Sequence, residues 1–194
     1  MWSALEAHVA ATDRAILVGM SHLRTPHLTA MMVDFTALGS PALIAVFTTI
    51  TLALMITMRD GLRTLHMLAG GFGTWGLTAA TKGVIERARP TVVEHLVHVS
   101  GYSFPSGHSL SAGSLYLTMA IVAGDHLGSR ASKAVLIAGA SLLIAMVGLS
   151  RVYLGVHYPS DVLSGTSLGV TWALILAYVV QALRVKKILA SARA

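Results

Sequence analysis

Three residue types that can act together on an anion lie in one short stretch of the chain, from Ser150 to Asp161. Its cation, Arg151, could hold a negatively charged group. Asp161 follows Pro159, a residue that suits the first turn of a helix, and from there it could reach back to His157. A carboxylate on one imidazole nitrogen fixes the tautomer and raises the nucleophilicity of the other nitrogen. A His/Asp pair alone is more often a buried hydrogen bond, so nucleophilic chemistry is predicted only if further polar groups join it.

A second polar cluster begins at Lys82 and ends at Arg89 and Pro90. A spacing of seven residues is about two helical turns, so we expect Lys82 and Arg89 to share one face of a helix that Pro90 stops. For Lys82 alone, a lysine that snorkels from a helix end to the lipid headgroups is the more ordinary interpretation. Glu86 and Arg87 could pair with each other or contact a headgroup, and the sequence leaves this open.

The third cluster is the tetrapeptide Pro105-Ser-Gly-His108. Pro105 interrupts the chain and Ser106 is a good N-cap, so the first-turn amides near Gly107 would point outward without partners. Such a helix N-terminus binds anions, and glycine lets an oxyanion approach the backbone. A plain N-cap beside a hydrogen-bonded histidine is the alternative, and the tetrapeptide alone does not separate the two.

The composition indicates where these clusters lie. The chain has 194 residues, is 55% hydrophobic and carries only fourteen basic and eight acidic residues; its mean hydropathy is +0.72. So few charges cannot cover a soluble domain of this size, and we expect one integral membrane domain over residues 1–194. The net charge of +6 could suit nucleic acid, but the basic residues come in ones and twos at the ends of apolar runs, so no nucleic-acid partner is expected. Residues 1–6 lack the features of a signal peptide.

The hydropathy pattern predicts an all-α integral membrane protein. Apolar runs long enough to cross a bilayer must be helical, because lipid offers the backbone no other partner. Residues 1–33 are less apolar and are expected to form an amphipathic helix in the headgroup zone, or one packed on the protein, that Pro26 ends or bends. Its predicted apolar stripe consists of Trp2, Leu5, Val9, Ile16, Met20 and Leu23, with Glu6, Asp13, Arg14 and Arg24 off the stripe. The five predicted crossings are 35–58, 64–81, 109–124, 134–149 and 162–183.

Charge at the ends of these runs predicts the orientation. Five crossings would place eight basic residues on one side: Arg59, Arg63, Arg130, Lys133, Arg184, Lys186, Lys187 and Arg193. The other side would carry six: Arg14, Arg24, Lys82, Arg87, Arg89 and Arg151. Three of these six, Lys82, Arg89 and Arg151, are candidate site residues, and without them the difference is eight against three. The positive-inside rule then predicts that the clusters face the outside.

The three clusters together resemble a known family. Lys-x6-Arg-Pro (82–90), Pro-Ser-Gly-His (105–108) and Ser-Arg-x5-His-x3-Asp (150–161) are similar to the three ordered motifs of the type 2 phosphatidic acid phosphatase (PAP2) superfamily. That group includes membrane lipid phosphatases, glucose-6-phosphatase and the vanadium haloperoxidases. The resemblance implies a PAP2-like helical bundle that needs no metal ion or other cofactor. Membrane members commonly have six crossings, so five here imply an N-terminus on the same side as the motifs.

The resemblance also implies a role for each motif residue. His157 would attack phosphorus and form a phosphohistidine, with Asp161 orienting it, while His108 would protonate the leaving oxygen and later help to activate water. The remaining motif residues would hold the phosphoryl oxygens: Lys82, Arg89, Ser106, Gly107 and Arg151. Residues 91–104 join the first two motifs. Their Glu94, His95 and His98 could suggest a metal site with His108, but a loop over the mouth of the site is preferred.

The implied function is metal-independent dephosphorylation of a lipid phosphate or pyrophosphate at the outer face of a membrane. In a bacterium this would be the periplasmic or outside face of the cytoplasmic (inner) membrane. Undecaprenyl pyrophosphate, phosphatidylglycerol phosphate, phosphatidic acid and lipid A phosphates would all suit such a site, and the small size of the chain favours an isoprenyl pyrophosphate. Alternatives are a lipid-to-lipid phosphotransferase with the same residues and a non-catalytic lipid or anion transporter. Haloperoxidase chemistry is the least expected, since a vanadate pocket does not require membrane helices. The sequence makes no prediction of oligomeric state.

Overall fold

The computed structural model describes residues 2–192, and the side chains of residues 5–192, as helices joined by turns and one long irregular connection. Within that range there is no β-strand, which confirms the predicted all-α class. Arg193 and the side chain of Trp2, used above for orientation and for the apolar stripe, lie outside the described residues. The helices are α1 (Trp2–Ser21), α2 (Pro26–Leu38), α3 (Pro41–Thr57), α4 (Gly61–Val84), α5 (Gly107–Leu127), α6 (Arg130–Tyr153) and α7 (Pro159–Ser191).

Helix α5 is the centre of the bundle. It packs against α3, α4, α6 and α7, and every residue from 109 to 118 is buried. Several of these buried residues are small and polar, such as Ser114, whose Oγ donates a hydrogen bond to the carbonyl of Gly70 at 2.6 Å. Small side chains let helices approach closely, and a hydroxyl that bonds to a neighbouring backbone carbonyl is satisfied without water.

Two glycines bring the beginning of α7 against the beginning of α5. A Cβ atom added to Gly165 would lie 2.5 Å from the carbonyl oxygen of Ser106, and one added to Gly169 would lie 2.1 Å from that of Leu110. No larger residue fits at either position without moving a backbone. These contacts fix the start of α7 beside the Pro-Ser-Gly-His turn, so two of the three motifs are held together by packing.

Two helices, α6 and α7, are long and apolar enough to cross a membrane, and the bent pair of α2 and α3 would be a third span if it is counted as one. At about 1.5 Å per residue, α4 and α5 are also long enough, with 24 and 21 residues. Both are less apolar than α6 and α7. In α5, many of the polar side chains are buried against other helices, so they do not need to face lipid. The chain is therefore an integral membrane protein, while the number of five crossings stays a prediction.

One predicted run differs from the structure in its bounds. Residues 35–58 were expected to form a single helix, but α2 ends at Leu38 and α3 begins at Pro41, with an angle of 49° between them. The side chain of Ser40 caps α3 by accepting a hydrogen bond from the amide of Leu43, and proline suits the first turn of a new helix. The other four predicted runs lie within α4, α5, α6 and α7.

The N-terminal segment also differs from its predicted pattern. Pro26 begins α2, which confirms the predicted break. The apolar residues Leu5 and Ile16 of the predicted stripe remain exposed, whereas Asp13, placed off the stripe, is buried together with Leu17. Asp13 was expected on the polar face of the helix, and it is buried instead because hydrogen bonds and an ion pair, described below, compensate its charge.

Candidate active site

Four helix ends meet at one end of the bundle and bring the three motifs together. The C-terminus of α4 carries Lys82 and the N-terminus of α5 carries His108, while α6 ends shortly after Arg151 and α7 begins shortly before Asp161. His157 lies in the tight connection between α6 and α7, where Gly155 adopts a φ of +78° that favours glycine. The predicted convergence of the motifs at one end of the protein is therefore observed.

His157 and Asp161 are buried and lie side by side. The Nδ1 atom of His157 is 3.6 Å from Oδ2 of Asp161. That same oxygen accepts hydrogen bonds from the hydroxyl of Ser103 at 2.5 Å and from the amide of Tyr158 at 3.0 Å. The Ser103 hydroxyl oxygen also lies 3.4 Å from His157 Nδ1. Ser103 therefore contacts both members of the pair. No sequence motif indicated it.

Arg89 fixes the tautomer of His157. One guanidinium nitrogen of Arg89 lies 3.2 Å from His157 Nε2, and its N–H groups also donate to the carbonyls of Val156, Ser100 and Gly101. Because arginine has only donors, Nε2 of His157 must present its lone pair. The imidazole proton then lies on Nδ1, on the side of Asp161 and Ser103, and the lone pair of Nε2 lies where an anion held by Arg89 would be.

The surroundings of His157 keep its imidazole neutral. Burial, at 2% exposure, lowers the pKa of His157 to about 4. The hydrogen bond with Asp161 opposes this effect and raises the pKa of the imidazole, while the positive charges of Arg151 and Arg89 lower it further, so the net shift is downward. Burial likewise lowers the pKa of the Arg89 guanidinium, against a smaller opposing effect of Asp161. A neutral imidazole is the form that can act as a nucleophile.

Arg87 connects the pair to helix α1. Its guanidinium donates to Oδ1 of Asp161 at 2.6 Å and to Oδ2 of Asp13 at 2.8 Å, and it stacks 4.2 Å above the ring of Tyr158. Asp13 also accepts hydrogen bonds from the amide and hydroxyl of Ser160 at 2.9 and 2.5 Å. Burial alone would lower the pKa of Arg87, but the bonds to the two carboxylates raise it above its ordinary value. Both oxygens of Asp161 are therefore held by partners other than His157.

The expected geometry of residues 82–90 was wrong in one respect. Helix α4 ends at Val84, and Ile85 is extended, so Lys82 and Arg89 do not share a helix face. Arg89 precedes Pro90, and the residue before a proline rarely adopts helical backbone. The carbonyl of Arg87 accepts a hydrogen bond from the amide of Ser103 and so is not part of a helix. The two alternatives for Arg87, pairing with Glu86 or with a headgroup, are replaced by its bonds to Asp13 and Asp161.

The other predicted phosphate-binding groups lie around the same point. Lys82 donates to the carbonyl of Tyr102 at 2.6 Å. Arg151 is 3% exposed and donates to Thr36 at 2.6 Å, while its Nε has no hydrogen-bond partner among the described residues. A buried, partly unpartnered guanidinium is costly and favours an anion beside it. Thr36 was not identified from the sequence either.

The turn at Ser106 has the predicted form. Ser106 is the N-cap of α5, and its hydroxyl oxygen accepts from the amide and from the hydroxyl of Ser109, at 3.4 and 2.9 Å. Its own backbone amide donates to the carbonyl of Asp161 at 3.1 Å. The hydroxyl proton of Ser106 is the group that these contacts leave to donate to a bound anion.

His108 lies between the cationic groups and an apolar cavity of about 390 Å³. It is within electrostatic range of Arg151, His157, Arg89 and Lys82. On its other side the cavity is lined by apolar surface from Pro41, Trp75 and Ala79 and by Gly107. The imidazole therefore stands where a polar headgroup would join an apolar tail.

The connection from residue 91 to 104 is irregular and packs near the site, as expected for a loop. His95 hydrogen-bonds through Nε2 to the carbonyl of Pro90 at 2.7 Å, and the amide of Leu96 donates to the carbonyl of Leu154 at 3.0 Å. Within residues 2–192, no cluster of three His, Asp or Glu side chains is arranged to hold a metal ion.

Comparison with known proteins gives consistent matches. The family model of the PAP2 superfamily matches residues 61–184. A phosphatidylglycerophosphatase B of Bacillus subtilis (strain 168) is 40% identical over 167 residues, which are 83% of this chain and 79% of that protein. A decaprenylphosphoryl-5-phosphoribose phosphatase of Mycobacterium tuberculosis is 35% identical over 53% of each chain. The crystal structure of a transmembrane PAP2-type phosphatidylglycerolphosphate phosphatase from Bacillus subtilis superposes with a TM-score of 0.82 at 35% identity, covering 90% of this chain and 87% of that one.

Proposed function

Because this chain belongs to the PAP2 superfamily and is an integral-membrane lipid phosphatase, we propose that it removes phosphate from its lipid through a phosphohistidine on His157, without a metal ion. One observation carries the proposal. The Nε2 lone pair of His157 lies beside Arg89, while its Nδ1 faces Asp161 and Ser103. A phosphoryl oxygen that takes the Arg89 donor brings phosphorus next to this lone pair.

In the first step, Nε2 of His157 bonds to phosphorus as the bond from phosphorus to the lipid oxygen breaks. Asp161 and Ser103 stabilise the positive charge that develops on the imidazole. His108 enters this step as an imidazolium, because the negative charge of the bound phosphate offsets the surrounding cations, and it donates its extra proton to the leaving lipid oxygen. Its position between the cationic groups and the apolar cavity supports this role. Charge that shifts onto the phosphoryl oxygens is stabilised by donors already in place. These donors are Lys82, Arg89, Arg151, the hydroxyl of Ser106 and the backbone near Gly107.

In the second step, His108 takes a proton from water, and the water oxygen bonds to phosphorus as the bond from phosphorus to His157 breaks. Inorganic phosphate leaves and both imidazoles return to their starting forms. The Arg87 bridge between Asp161 and Asp13 acts through its neighbours, since it holds the carboxylate that orients the nucleophile.

Phosphatidylglycerol phosphate is the first substrate to test. The relatives that match most of this chain in sequence and in structure carry that activity in their names. The isoprenyl pyrophosphate favoured by the size of the chain stays a prediction, as do phosphatidic acid and undecaprenyl pyrophosphate. A headgroup on His108 with its tail in the neighbouring apolar cavity would suit each of them.

Five crossings of one domain over residues 1–194 fit this site best, with α3 and the end of α2 as the first and α4 to α7 as the others. In that arrangement α1 lies in the headgroup zone on the side of the site, with its exposed Leu5 and Ile16 toward lipid. The basic residues at the opposite helix ends support a site on the outer face of a bacterial inner membrane.

Single thiols test this orientation, since the chain has no cysteine. A Thr91→Cys variant in the exposed loop at the site end should react with a membrane-impermeant maleimide in intact cells. Ser191→Cys, at the end of α7, should react only after the membrane is opened. The reverse pattern would place the site in the cytoplasm.

The chemistry is tested by phosphate release from the lipid panel in detergent, with EDTA present. We expect release by the unaltered protein, none by His157→Ala, and an acid-labile phosphate on His157 when a reaction is quenched early. Release that disappears on chelation contradicts the metal-free mechanism. A phosphorylated acceptor lipid without free phosphate would show phosphotransfer, and binding without turnover would show a transporter.

A further inference from the structure

The end of the bundle opposite to the active site holds a second cavity of about 790 Å³. Helices α4, α5, α6 and α7 all line it. Toward the middle of the bundle its wall is apolar, with Leu117, Ile137 and Leu174, whereas toward the helix ends it is charged. The cavity therefore has the amphipathic character of a lipid molecule near its headgroup.

The charged part of this wall is mostly cationic. Arg63, Arg130, Lys133 and Arg184 contribute to it, and Asp125 is its single carboxylate. Asp60, next to the cavity, pairs with Arg63 at 2.7 Å and with Arg184 at 2.8 Å, and Asp125 pairs with Lys133 at 2.7 Å. Arg130 makes no ion pair within the described part of the chain. The excess positive charge favours an anion in the cavity.

His66 and Arg63 add unsatisfied polar atoms to the wall of this cavity. It lines the cavity, is 2% exposed, and its Nε2 has no hydrogen-bond partner among residues 2–192. The Nε of Arg63, in the same wall, also lacks one. Both atoms are covered by protein, so they make this wall polar but offer a bound ligand no direct contact.

The backbone adds to this preference. Helix α6 begins at the cavity, with Ser129 as its N-cap and Arg130 as its first residue. The N-terminus of a helix carries partial positive charge and favours anions. We propose that this cavity binds the phosphate headgroup of an anionic phospholipid from the leaflet at that end, with the first carbons of its tails against the apolar wall. Basic pockets between membrane helices bind such headgroups.

The proposal does not depend on the enzymatic reaction, and binding tests it directly. The full chain in detergent is offered phosphatidylglycerol, phosphatidylcholine with the same tails, or inorganic phosphate, and retention is measured by native mass spectrometry. We expect retention of phosphatidylglycerol over phosphatidylcholine. Each removed cation should weaken binding about fivefold. Arg130→Gln should therefore lose about fivefold, and Arg130→Gln with Lys133→Gln about 25-fold.

Two controls locate the site. Lys186→Gln removes an exposed cation at the same end of α7 that does not line the cavity, and it should leave retention within twofold. Arg89→Gln alters the active-site end and should also leave it unchanged. The single variant Arg130→Gln guards against misfolding, because Arg130 is exposed and makes no ion pair with any residue from 2 to 192. Its thermal unfolding should match that of the unaltered protein.

Several results would overturn the proposal. Equal retention of both lipids, or retention of phosphatidylglycerol that Arg130→Gln leaves unchanged, would show that the cavity has no preference for an anionic headgroup. Loss of retention in Arg89→Gln would place the bound lipid in the active site. Inorganic phosphate bound as tightly as the lipid, and lost in the same variants, would show a site for free phosphate.

Discussion

The two ends of the helix bundle both gather charge, but they hold it in different ways. At the active-site end, Asp161 is fully buried and its two oxygens are held by Arg87, Ser103 and Tyr158. At the opposite end, Lys133 and Asp125 form a pair whose side chains are 41% and 40% exposed, and Asp60 pairs with a residue three positions away. The first arrangement encloses its carboxylate, while the second leaves its ion pairs partly exposed.

This difference indicates what each end requires. A buried carboxylate with several partners can hardly move, and nucleophilic attack needs its groups in place before the substrate arrives. Exposed ion pairs contribute at most about 1 kcal/mol and can rearrange, which suits a surface that meets lipid headgroups. Substitutions should therefore cost activity at the first end and little at the second.

Among substitutions that keep the nucleophile His157, the largest effect is expected from Arg89→Gln. This change removes the donor beside His157 Nε2 and should lower kcat/KM about 100- to 1000-fold. Arg89→Lys keeps the charge without the planar guanidinium, so its kcat/KM should lie between those of the unaltered protein and of Arg89→Gln. Steady-state phosphate release measures both, and a loss below tenfold for Arg89→Gln would contradict the assigned role.

The pH dependence should differ from that of an ordinary histidine. With the pKa of His157 at about 4, about nine-tenths of the imidazole is neutral at pH 5, against about 3% for an unperturbed pKa near 6.5. Titration of labelled His157, assigned by comparison with His157→Gln, should give the lower value. The unfolded chain binds this proton near pH 6.5 and the folded chain only near pH 4, so the free energy of unfolding should fall as pH drops through that window.

A matched pair of carboxylates compares the two ends directly. Asp13 and Asp60 each bind an arginine side chain and a backbone amide, but only Asp13 lies next to the active site. Asp13→Asn should lower kcat about tenfold, because Arg87 loses a charged partner and holds Asp161 less firmly. Asp60→Asn should change kcat less than twofold.

A positioning role for Asp13 predicts two further results. Asp13→Glu should restore part of the rate, since it restores the charge that Arg87 binds, and Asp13→Asn should shift the acid limb of the pH profile. Equal effects of the Asp13 and Asp60 variants would remove the distinction between the ends.

The smallest effect is expected from Arg184→Gln. Arg184 pairs with Asp60 at 2.8 Å with its side chain 29% exposed, so its loss should cost at most about 1 kcal/mol of the free energy of unfolding. Phosphate release should stay within twofold. Thermal unfolding in detergent measures the loss of stability. A drop in phosphate release comparable to that of Asp13→Asn would show that the two ends are coupled.

The sequence predicted the helices and the motif residues, because both rest on local patterns. Apolar runs identified α4 to α7, and short spacings placed His108 and Asp161 in the first turns of helices, with His157 just before one. Ser103 and Asp13 were missed because they meet Asp161 and Arg87 only through the fold, across 58 and 74 positions of sequence. No local spacing marks such a contact.

Arg87 was missed although a signal existed. It lies two residues before Arg89, and Arg89 precedes a proline, which favours extended backbone. Residues two apart in an extended segment point to the same side, so both arginines could have been expected at the site. The division between α2 and α3 was also missed although the sequence signalled it. Gly39 suits a helix end, and Ser40 and Pro41 suit a helix start, but they lie inside an apolar run.

Helix α5 has a consequence for how the protein is made. Its central residues are buried on every side, and their hydroxyl groups depend on other helices for partners. Such a segment gains too little by entering lipid alone, because insertion favours apolar side chains. During biosynthesis α5 must therefore stay with the insertion machinery until α6, which is apolar enough to integrate alone and is its next neighbour in the chain, has emerged to shield it.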